Sequence, residues 1–288
     1  MRVQESSFAG AGGVQIFWRA WVPESPDATP PRAAVVLVHG AGEHSGRYTH
    51  VASALTAGGA AVWALDHRGH GRSDGPRALI DRAGNAIADV NRLVGLARAA
   101  HPGVPVFVLG HSMGAMLALG WAARHGDGAQ GLILSGALAA LPETPAAVQR
   151  VGRALSVLAP RAPLIAIDAE LISRDPAVVG AYRADPLVHH GRLPARTAAE
   201  IADTVAGLPE AVSAISLPSL IMYGTDDRLC PPAGSLMVAE RIGSSDVTVR
   251  AYEGLFHEIF NEPERERVLD DLLGWISTRS PMGAPAGA

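Results

Sequence analysis

The sequence has no lysine, because all 24 of its basic residues are arginines. Several kinds of chemistry depend on a lysine amine, among them Schiff-base formation, the anchoring of pyridoxal phosphate, serine–lysine dyads and phosphate binding by a P-loop. The absence of lysine therefore excludes these classes of enzyme and of nucleotide-binding site.

Cysteine, net charge and long apolar runs are also scarce. Cys230 is the only cysteine, so no disulfide forms within the chain and nothing points to an oxidising compartment. The net charge is -4 without any run of basic residues, which argues against a nucleic-acid partner. The first residues lack the apolar region of a secretory signal, and no stretch reaches the roughly 18 apolar residues of a membrane span. We therefore expect a soluble, cytoplasmic protein.

Residues that bind metals do not form a recognisable pattern. His67 and His70 are close in sequence and His189 and His190 are adjacent, but neither pair is accompanied by the cysteines or acidic residues of a zinc site. The H-E-x-x-H motif is absent as well. The sequence predicts no metal and no cofactor.

The chain does contain an alternation of short apolar runs with longer helical patterns. Its 288 residues, 48% of them hydrophobic, suffice for one large α/β domain. Runs typical of strands cover Val14–Arg19, Ala33–Val38, Ala60–Leu65, Val104–Leu109, Gly131–Leu134, Ser219–Tyr223 and Val247–Tyr252. Helical patterns between and after them include Arg47–Ala57, Asn85–Ala100 and Glu264–Ile276. This order predicts a mostly parallel sheet with helices on both faces.

The interval 138–215 interrupts this alternation. It holds eight prolines and short helical pieces such as Ala146–Leu158, and no pair of strands is evident in it. We interpret 138–215 as a cap inserted over the carboxyl end of the sheet, and 1–137 with 216–279 as the core domain; a long surface excursion without a role is the alternative. Residues 280–288 are small and rich in proline and glycine, which predicts a disordered tail.

The clearest chemical signal is the run Gly110–Gly114, which reads Gly-His-Ser-Met-Gly. It lies between the strand-like run Val104–Leu109 and the helical run Ala115–Arg124. A G-x-S-x-G sequence in this context forms a sharp turn with a strained serine, whose hydroxyl stands clear at the end of the sheet. We therefore predict that Ser112 is a catalytic nucleophile.

A serine nucleophile also needs a histidine base and a carboxylate that orients the base. On such an elbow the acid follows the serine along the chain and the histidine follows the acid. Asp226 and Asp227 come directly after the predicted strand Ser219–Tyr223, and both are candidates for the acid. His257 lies in the loop after the strand Val247–Tyr252, where the base is required. The pattern thus predicts His257 as the base and leaves the choice of aspartate open.

The loop after the first buried strand is suited to bind a developing oxyanion. The run His39–Gly42 carries two glycines that let the backbone approach a substrate carbonyl. We expect the N–H groups of Ala41 and Met113 to form an oxyanion hole. We interpret His39 as a residue that shapes this loop by hydrogen bonding, and the charged, glycine-rich run Asp66–Asp74 as a buttress for the site.

Taken together, these motifs resemble the monoacylglycerol lipase branch of the α/β-hydrolases. The resemblance runs from about Phe8 to Ile276 and is carried by His39–Tyr48, Asp66–Ser73, Gly110–Gly114, Asp226–Cys230 and Tyr252–Gly254 with His257. It implies a mostly parallel sheet of eight strands with a cap insertion, and a serine hydrolase that cleaves monoacylglycerols to a fatty acid and glycerol. A broad carboxylesterase or a lysophospholipase with the same triad is the alternative.

The same resemblance implies roles for particular residues. The acid of the family directly precedes a segment like Arg-Leu-Cys, which makes Asp227 the acid here. Glu43 and Arg47 match residues near the glycerol head group, so the resemblance implies that they bind substrate. A second histidine of some members is replaced by Phe260, a departure from the family's pattern at the head group.

The resemblance further implies a small lipid ester as substrate and a mobile cap over an apolar acyl tunnel. We also expect transient contact of the cap with a membrane or micelle surface. Candidates for lining the tunnel are the apolar residues Val148, Val151, Leu155, Val157, Leu158, Leu164, Ile165 and Ile167. The same residues fit a small core within the cap equally well, and the sequence leaves the oligomeric state open.

Overall fold

The fold is described from a computed structural model, which covers residues 1–24 and 29–280. The strands in this part of the chain span Arg2–Ala9 (β1), Gln15–Val22 (β2), Ala33–Val38 (β3), Ala60–Leu65 (β4), Val106–His111 (β5), Gly131–Ser135 (β6), Pro163–Ile165 (β7), Leu193–Pro194 (β8), Ser219–Gly224 (β9) and Val247–Tyr252 (β10). Eight of them form one sheet in the order β1-β2-β4-β3-β5-β6-β9-β10. The pairs β1–β2 and β2–β4 are antiparallel, and the others in this sheet are parallel.

The α-helices cover both faces of the sheet. They span Thr49–Ala57 (α1), Ala83–Ala100 (α2), Met113–His125 (α3), Ala146–Leu158 (α4), Pro176–Ala184 (α5), Ala195–Ala211 (α6), Pro232–Arg241 (α7) and Arg265–Thr278 (α8). α1 and α8 bury Leu55 and Leu272 against one face, and α2 and α3 bury Leu93 and Met116 against the other. Because apolar side chains point to both faces, β3, β4, β5, β6 and β9 are buried along their whole length. The predicted α/β-hydrolase fold, with eight mostly parallel strands between two helical layers, is confirmed.

The parallel strands end at one edge of the sheet, and the loops that leave this edge hold the predicted site. Gly40 follows β3, Ser112 follows β5, Asp227 follows β9 and His257 follows β10. In open sheets of this kind, ligands bind outside the carboxyl ends of the strands. The topology therefore gathers residues that are far apart in the sequence at one edge.

The structure differs from the predicted strands in two places. β1 was not predicted, because its residues are mostly polar and exposed, and it is defined by its antiparallel pairing with β2. Within the interval 138–215 the expectation that no strands pair is wrong, since β7 and β8 form a short antiparallel pair. Strands of three and two residues, each with a proline, are too short to show the alternation that predicts a strand.

The segment 138–215 leaves the sheet after β6 and returns at β9, and it is fixed to the core mainly through α6. Ile201, Val205 and Leu208 of α6 belong to the main core. The hydroxyl of Thr197 in α6 donates to the Ala78 carbonyl at 2.7 Å and accepts from the Ile80 N–H at 2.9 Å. A second, small core within the segment consists of Ile172, Val179, Tyr182 and Val188.

Both interpretations are wrong for four of the five apolar residues assigned to α4, and the fifth, Leu155, is half-buried. Val148, Val151, Val157 and Leu158 are exposed, with Leu158 at 84% of its full accessibility, so they neither line a tunnel nor form a core. Of the residues proposed for the tunnel, Ile165 and Ile167 do line the cavity described below. The reason is the orientation of α4, which packs on α6 while this apolar face points away from the protein.

The predicted disordered tail 280–288 lies outside the described residues from residue 281 onward. Among the helices of the described part, none combines the length and apolar character that crossing a bilayer requires.

Candidate active site

Ser112 occupies a sharp turn between β5 and α3. Its backbone has a φ of 56° and a ψ of -122°, a region that non-glycine residues rarely adopt. The flanking glycines make the turn possible. A Cβ at Gly110 would lie 2.5 Å from the Gly114 carbonyl oxygen, and a Cβ at Gly114 would lie 2.0 Å from the Val38 carbonyl oxygen. The strand–turn–helix arrangement predicted for the Gly-His-Ser-Met-Gly run is present.

Asp227 and His257 form a buried pair. The Nδ1 of His257 lies 2.7 Å from Oδ2 of Asp227, and both side chains are almost inaccessible to solvent. The other carboxylate oxygen, Oδ1, accepts hydrogen bonds from the backbone N–H groups of Leu229 and Cys230 at 2.9 and 2.8 Å. Asp226 is exposed, and its carboxylate contacts Thr225 instead. Of the two candidate aspartates, the geometry brings Asp227 to the histidine.

The electrostatic surroundings favour the charged form of His257. Burial by itself lowers the pKa of His257, but the charge of Asp227 and the hydrogen bond to it raise this pKa, with smaller contributions from the charges of Glu258 and Glu43. The resulting pKa of His257 lies above its usual value. Asp227 accepts a hydrogen bond from the Nδ1–H of His257, which leaves Nε2 as the nitrogen able to take up a proton.

Gly136, directly after β6, leaves the space that this pair needs. Its φ is 51°, and a Cβ there would lie 3.0 Å from Nδ1 of His257 and 3.2 Å from Oδ2 of Asp227. Any larger residue would press on the hydrogen bond between the two side chains. No local sequence pattern marks Gly136, because its role follows from a contact across the sheet edge.

Ser112 and His257 face the same cavity without a direct hydrogen bond in this conformation. The Oγ of Ser112 lies 3.8 Å from the Sγ of Cys230. Hydrogen bonds of catalytic groups are often long in ligand-free proteins and tighten when substrate binds. Burial and the neighbouring charge of Asp227 raise the pKa of the Cys230 thiol far above its usual range, which keeps it neutral.

The two N–H groups predicted for the oxyanion hole belong to Ala41 and Met113. Ala41 lines the cavity beside Ser112, and Met113 is the first residue of α3, where N–H groups have no partner within the helix. Among the described residues, neither N–H donates to a protein acceptor. The preceding residue, Gly40, must be small, because a Cβ there would lie 3.1 Å from the Cβ of Ser112.

Behind this loop lies a cluster of buried histidines. The backbone N–H of His67 donates to Nε2 of His39 at 2.9 Å, and the ring centroids of His39 and His67 are 4.4 Å apart. Burial lowers the pKa of His39 and of His67 well below the usual range, so both are neutral. His39 thus forms a hydrogen bond between the loops after β3 and β4, as expected. In the described part of the chain, no group of three or more potential ligand side chains is arranged to hold a metal ion.

The run Asp66–Asp74 is bonded internally and to the loop after β3. One oxygen of the Asp66 carboxylate accepts from the Ser45 N–H and hydroxyl, and the other accepts from the Arg72 N–H. Arg68 is buried and pairs with Asp89 of α2 at 2.7 Å. These contacts agree with the interpretation of this run as a buttress.

Glu43 and Arg47 lie beside the site, but most of their polar atoms already have protein partners. Arg47 Nη1 lies 2.7 Å from Oε2 of Glu43 and 2.6 Å from Oε1 of Glu258. The guanidinium also stacks 4.8 Å from the ring centroid of Tyr182 in α5. Neither Glu258 nor Tyr182 was predicted from the sequence as part of the site; for Glu258, the available signal was its position directly after His257.

The cavity that contains Ser112 has a volume of about 170 Å³. Its polar lining comes from the sheet edge and includes Glu43, His111, Ser112, His257 and Glu258. Its apolar lining comes largely from the segment 138–215, which contributes Leu138, Leu141, Ile165, Ala166, Ile167, Ile172, Leu193 and Ile201. Ser112 therefore lies between a polar wall and an apolar one.

Comparisons with known proteins bear on the family of this chain. Residues 29–264 match a family model described as serine aminopeptidase, S33. The chain is 45% identical over 273 residues to the monoacylglycerol lipase of Mycolicibacterium smegmatis, covering 94% of this chain and 96% of that protein. It is 33% identical over 280 residues to the monoglyceride lipase of Homo sapiens, covering 96% and 91%.

A solved structure agrees with the sequence relatives. The crystal structure of the Paleococcus ferrophilus monoacylglycerol lipase superposes with a TM-score of 0.80 at 29% identity, covering 97% of this chain and all of that one. Fold, site and relatives lead to one assignment. The chain belongs to the monoacylglycerol lipase family of α/β-hydrolases.

Proposed function

We propose that this protein hydrolyses monoacylglycerols to a fatty acid and glycerol through an acyl-enzyme intermediate on Ser112. The observation that carries the proposal is the strained Ser112 on its elbow, in one cavity with the His257–Asp227 pair. The relatives named as monoacylglycerol lipases support the choice of substrate.

The reaction follows from the roles of three side chains. His257 Nε2 takes the proton of the Ser112 hydroxyl as the oxygen attacks the ester carbonyl, and Asp227 stabilises the imidazolium that forms. The N–H groups of Ala41 and Met113 bind the oxyanion. Collapse of the intermediate breaks the ester bond, and His257 returns the proton to the departing glycerol oxygen. Water, deprotonated by His257, then releases the fatty acid from Ser112.

The cavity suits a substrate with one apolar and one polar end. The aliphatic side chains from segment 138–215 would contact the acyl chain, and each methylene buried there stabilises the complex by about 0.8 kcal/mol. Glu43 supplies an acceptor for the glycerol hydroxyls. Arg47 contributes to head-group binding by holding the carboxylate of Glu43 in place.

We further propose that segment 138–215 acts as a cap separate from the core formed by 1–137 and 216–279. Its helix α4 would contact the surface of a micelle or membrane that presents the substrate. The exposed apolar residues of α4 support this, and so do the exposed arginines Arg150 and Arg161, which suit an anionic surface.

A substrate panel tests the proposed activity. We expect kcat/KM to be higher for monoacylglycerols than for diacylglycerols, triacylglycerols, lysophospholipids and the methyl esters of the same acids. A broad carboxylesterase would treat glyceryl and methyl esters alike, and that result would overturn the proposal.

One variant tests the head-group assignment separately. Glu43→Ala is expected to lower kcat/KM more for a glyceryl ester than for the matched methyl ester, because only the former loses a polar partner. Equal losses on both esters would remove Glu43 from substrate recognition and leave it as a brace of the loop.

A further inference from the structure

Three charged side chains form a buried cluster beside the site, and Arg47 is at its centre. Arg47 donates from Nη1 to Glu43, and through both Nη1 and Nη2 to the two carboxylate oxygens of Glu258, at 2.6 and 2.8 Å. The side chains of Arg47, Glu43 and Glu258 keep only 10%, 4% and 7% of their accessibility. Paired, two-pronged bonds of this kind fix the orientation of both groups.

One side of the cluster holds the loop that carries the proposed oxyanion donor. Oε1 of Glu43 accepts from the Gly40 backbone N–H at 2.7 Å and from the Tyr48 hydroxyl at 2.6 Å. Gly40 directly precedes Ala41. The carboxylate of Glu43 therefore fixes the peptide next to the N–H that would bind the oxyanion.

On its other side, the cluster contains Glu258, which is the neighbour of the proposed base His257 in the sequence. Glu258 follows His257, its N–H donates to the Ile172 carbonyl at 2.8 Å, and its carboxylate accepts from Asn261 at 2.7 Å. Burial raises the pKa of Glu258, but the charge of Arg47 and the hydrogen bonds from it lower this pKa to below its usual value. Glu258 is therefore ionised at neutral pH.

The charges of the cluster do not cancel. Two carboxylates face one guanidinium, which leaves one negative charge beside His257. Such a charge favours the imidazolium that forms while the proton of Ser112 is transferred. Arg47 lies between this charge and the oxyanion loop, and it connects the two.

We propose that Glu258 is a positioning residue for ester hydrolysis. It fixes Arg47 and, through Glu43, the oxyanion loop, and its negative charge favours the charged form of His257 during proton transfer. This inference rests on the proposed serine hydrolase function and adds a residue that neither the elbow motif nor the triad contains.

Other titratable groups also face His257, and the test must separate Glu258 from them. Asp227 is bonded to the imidazole, and Cys230 lies on the same loop as Asp227. The ring of His111, at the end of β5, has its centroid 4.6 Å from that of His257, and burial followed by the charge of His257 lowers the pKa of His111 to about 3. His111 thus stays neutral over the working range. Glu43 and Arg47 face His257 from the loop after β3.

The experiment compares Glu258→Gln with the wild type. Glutamine keeps the size of the side chain but removes the charge, so we expect kcat to fall by about 10- to 100-fold, with KM changed by less than about threefold. The acid limb of the kcat/KM profile should move to lower pH, because the imidazolium of His257 loses a favourable charge. A variant with the wild-type kcat and the wild-type acid limb would overturn the inference.

Glu262→Gln is the matched control. Glu262 is a fully buried carboxylate in the same loop, but its partner is Arg174, which donates to it from its backbone N–H and from Nε. This control should lose thermal stability and keep the acid limb of the wild type. An equal displacement of the acid limb in both variants would show that any loss of a buried carboxylate in this loop moves the pH profile. That result would overturn the role of Glu258.

A second variant separates charge from position. Glu258→Asp keeps the charge and shortens the reach, so we expect a lower kcat with the acid limb close to that of the wild type. This variant also serves if Glu258→Gln does not fold. An unchanged kcat in Glu258→Asp would show that the contact with Arg47 does not position the loop.

A covalent probe of Ser112 tests the role of Glu258 independently of the proposed substrate. The pH dependence is also measured on the rate at which a fluorophosphonate modifies Ser112, which requires the serine and its base but no glycerol ester. If the wild type reacts with the probe but does not hydrolyse monoacylglycerols, the proposed function fails, while the displaced limb in Glu258→Gln still supports the role of Glu258.

Discussion

The carboxyl edge of the sheet buries charged side chains, whereas helix α4 exposes apolar ones. At the sheet edge, buried charges such as Asp227, Arg47 and Glu258 are bonded to each other or to the backbone. In α4, apolar side chains such as Val151 are exposed to solvent, 59% in that case. This difference fits the division of tasks that we propose, in which the hydrogen-bonded edge performs the chemistry and the exposed face of α4 contacts an apolar surface.

The largest effect should come from the bonded edge. Ser112→Ala, His257→Ala and Asp227→Ala should each lower kcat by about 10⁴- to 10⁶-fold, and the losses should not add in double variants, because the three groups act as a unit. Steady-state kinetics on a monoacylglycerol measures this. Asp226→Ala is the control, since Asp226 is exposed and bonded away from His257. A larger loss in Asp226→Ala than in Asp227→Ala would contradict the assignment.

The next effect tests how closely the edge is packed. Gly136→Ala should lower kcat by about 10- to 100-fold, because the new Cβ would press on the bond between His257 and Asp227. Gly95→Ala in α2 is the control: no atom lies near its Cβ position, and the substitution should stabilise the helix by about 0.5–1 kcal/mol without changing kcat. An active Gly136→Ala enzyme would show that the edge has more freedom than the structure indicates.

A smaller effect is expected from α4, and only on substrate presented at a surface. Val151→Ser should lower the rate several-fold on monoacylglycerol in anionic vesicles and leave the rate on a dissolved short-chain ester unchanged. Val249→Ser on β10 is matched to it, because Val249 is also exposed but lies on a strand of the main sheet. Equal rates of the two variants on vesicles would show that α4 does not contact the surface.

The smallest expected effect is a displacement of the pH profile. Because the pKa of His257 is raised in the folded protein, the acid limb of kcat/KM should lie above the value of about 6.5 of an unperturbed histidine. Activity should be present above that pKa and be lost as the pH falls through it, since the base must be neutral. An acid limb at a pH below the usual pKa of histidine would contradict the conclusion that the negative charges around His257 raise its pKa.

Local sequence patterns predicted the bounds of several elements well. The bounds of β3, β4 and β10 agree with the apolar runs, as do those of α4, because the periodicity of the side chains sets these elements. β1 was missed because a polar edge strand is stabilised by its pairing with β2, which no local pattern reveals. The exposure of α4 was missed for a related reason: an amphipathic pattern predicts an apolar face but not what covers it.

The same limit applies to the site. Ser112 and His257 could be placed from a motif and from chain order, since both are fixed by the ends of strands. The link between Arg47 and Glu258 joins residues 211 positions apart, and no spacing rule predicts it. Gly136 likewise acquires a role only where β6 and the loops that carry Asp227 and His257 meet.

In the proposed mechanism, Ser112 carries the acyl group during turnover. The most direct measurement is mass spectrometry of peptides from the enzyme, quenched in acid during turnover of a monoacylglycerol. We expect the added mass of the acyl chain on the peptide that contains Ser112, and no added mass in Ser112→Ala. An acyl group on Cys230, whose sulfur lies 3.8 Å from the Ser112 oxygen, or continued turnover by Ser112→Ala, would contradict it.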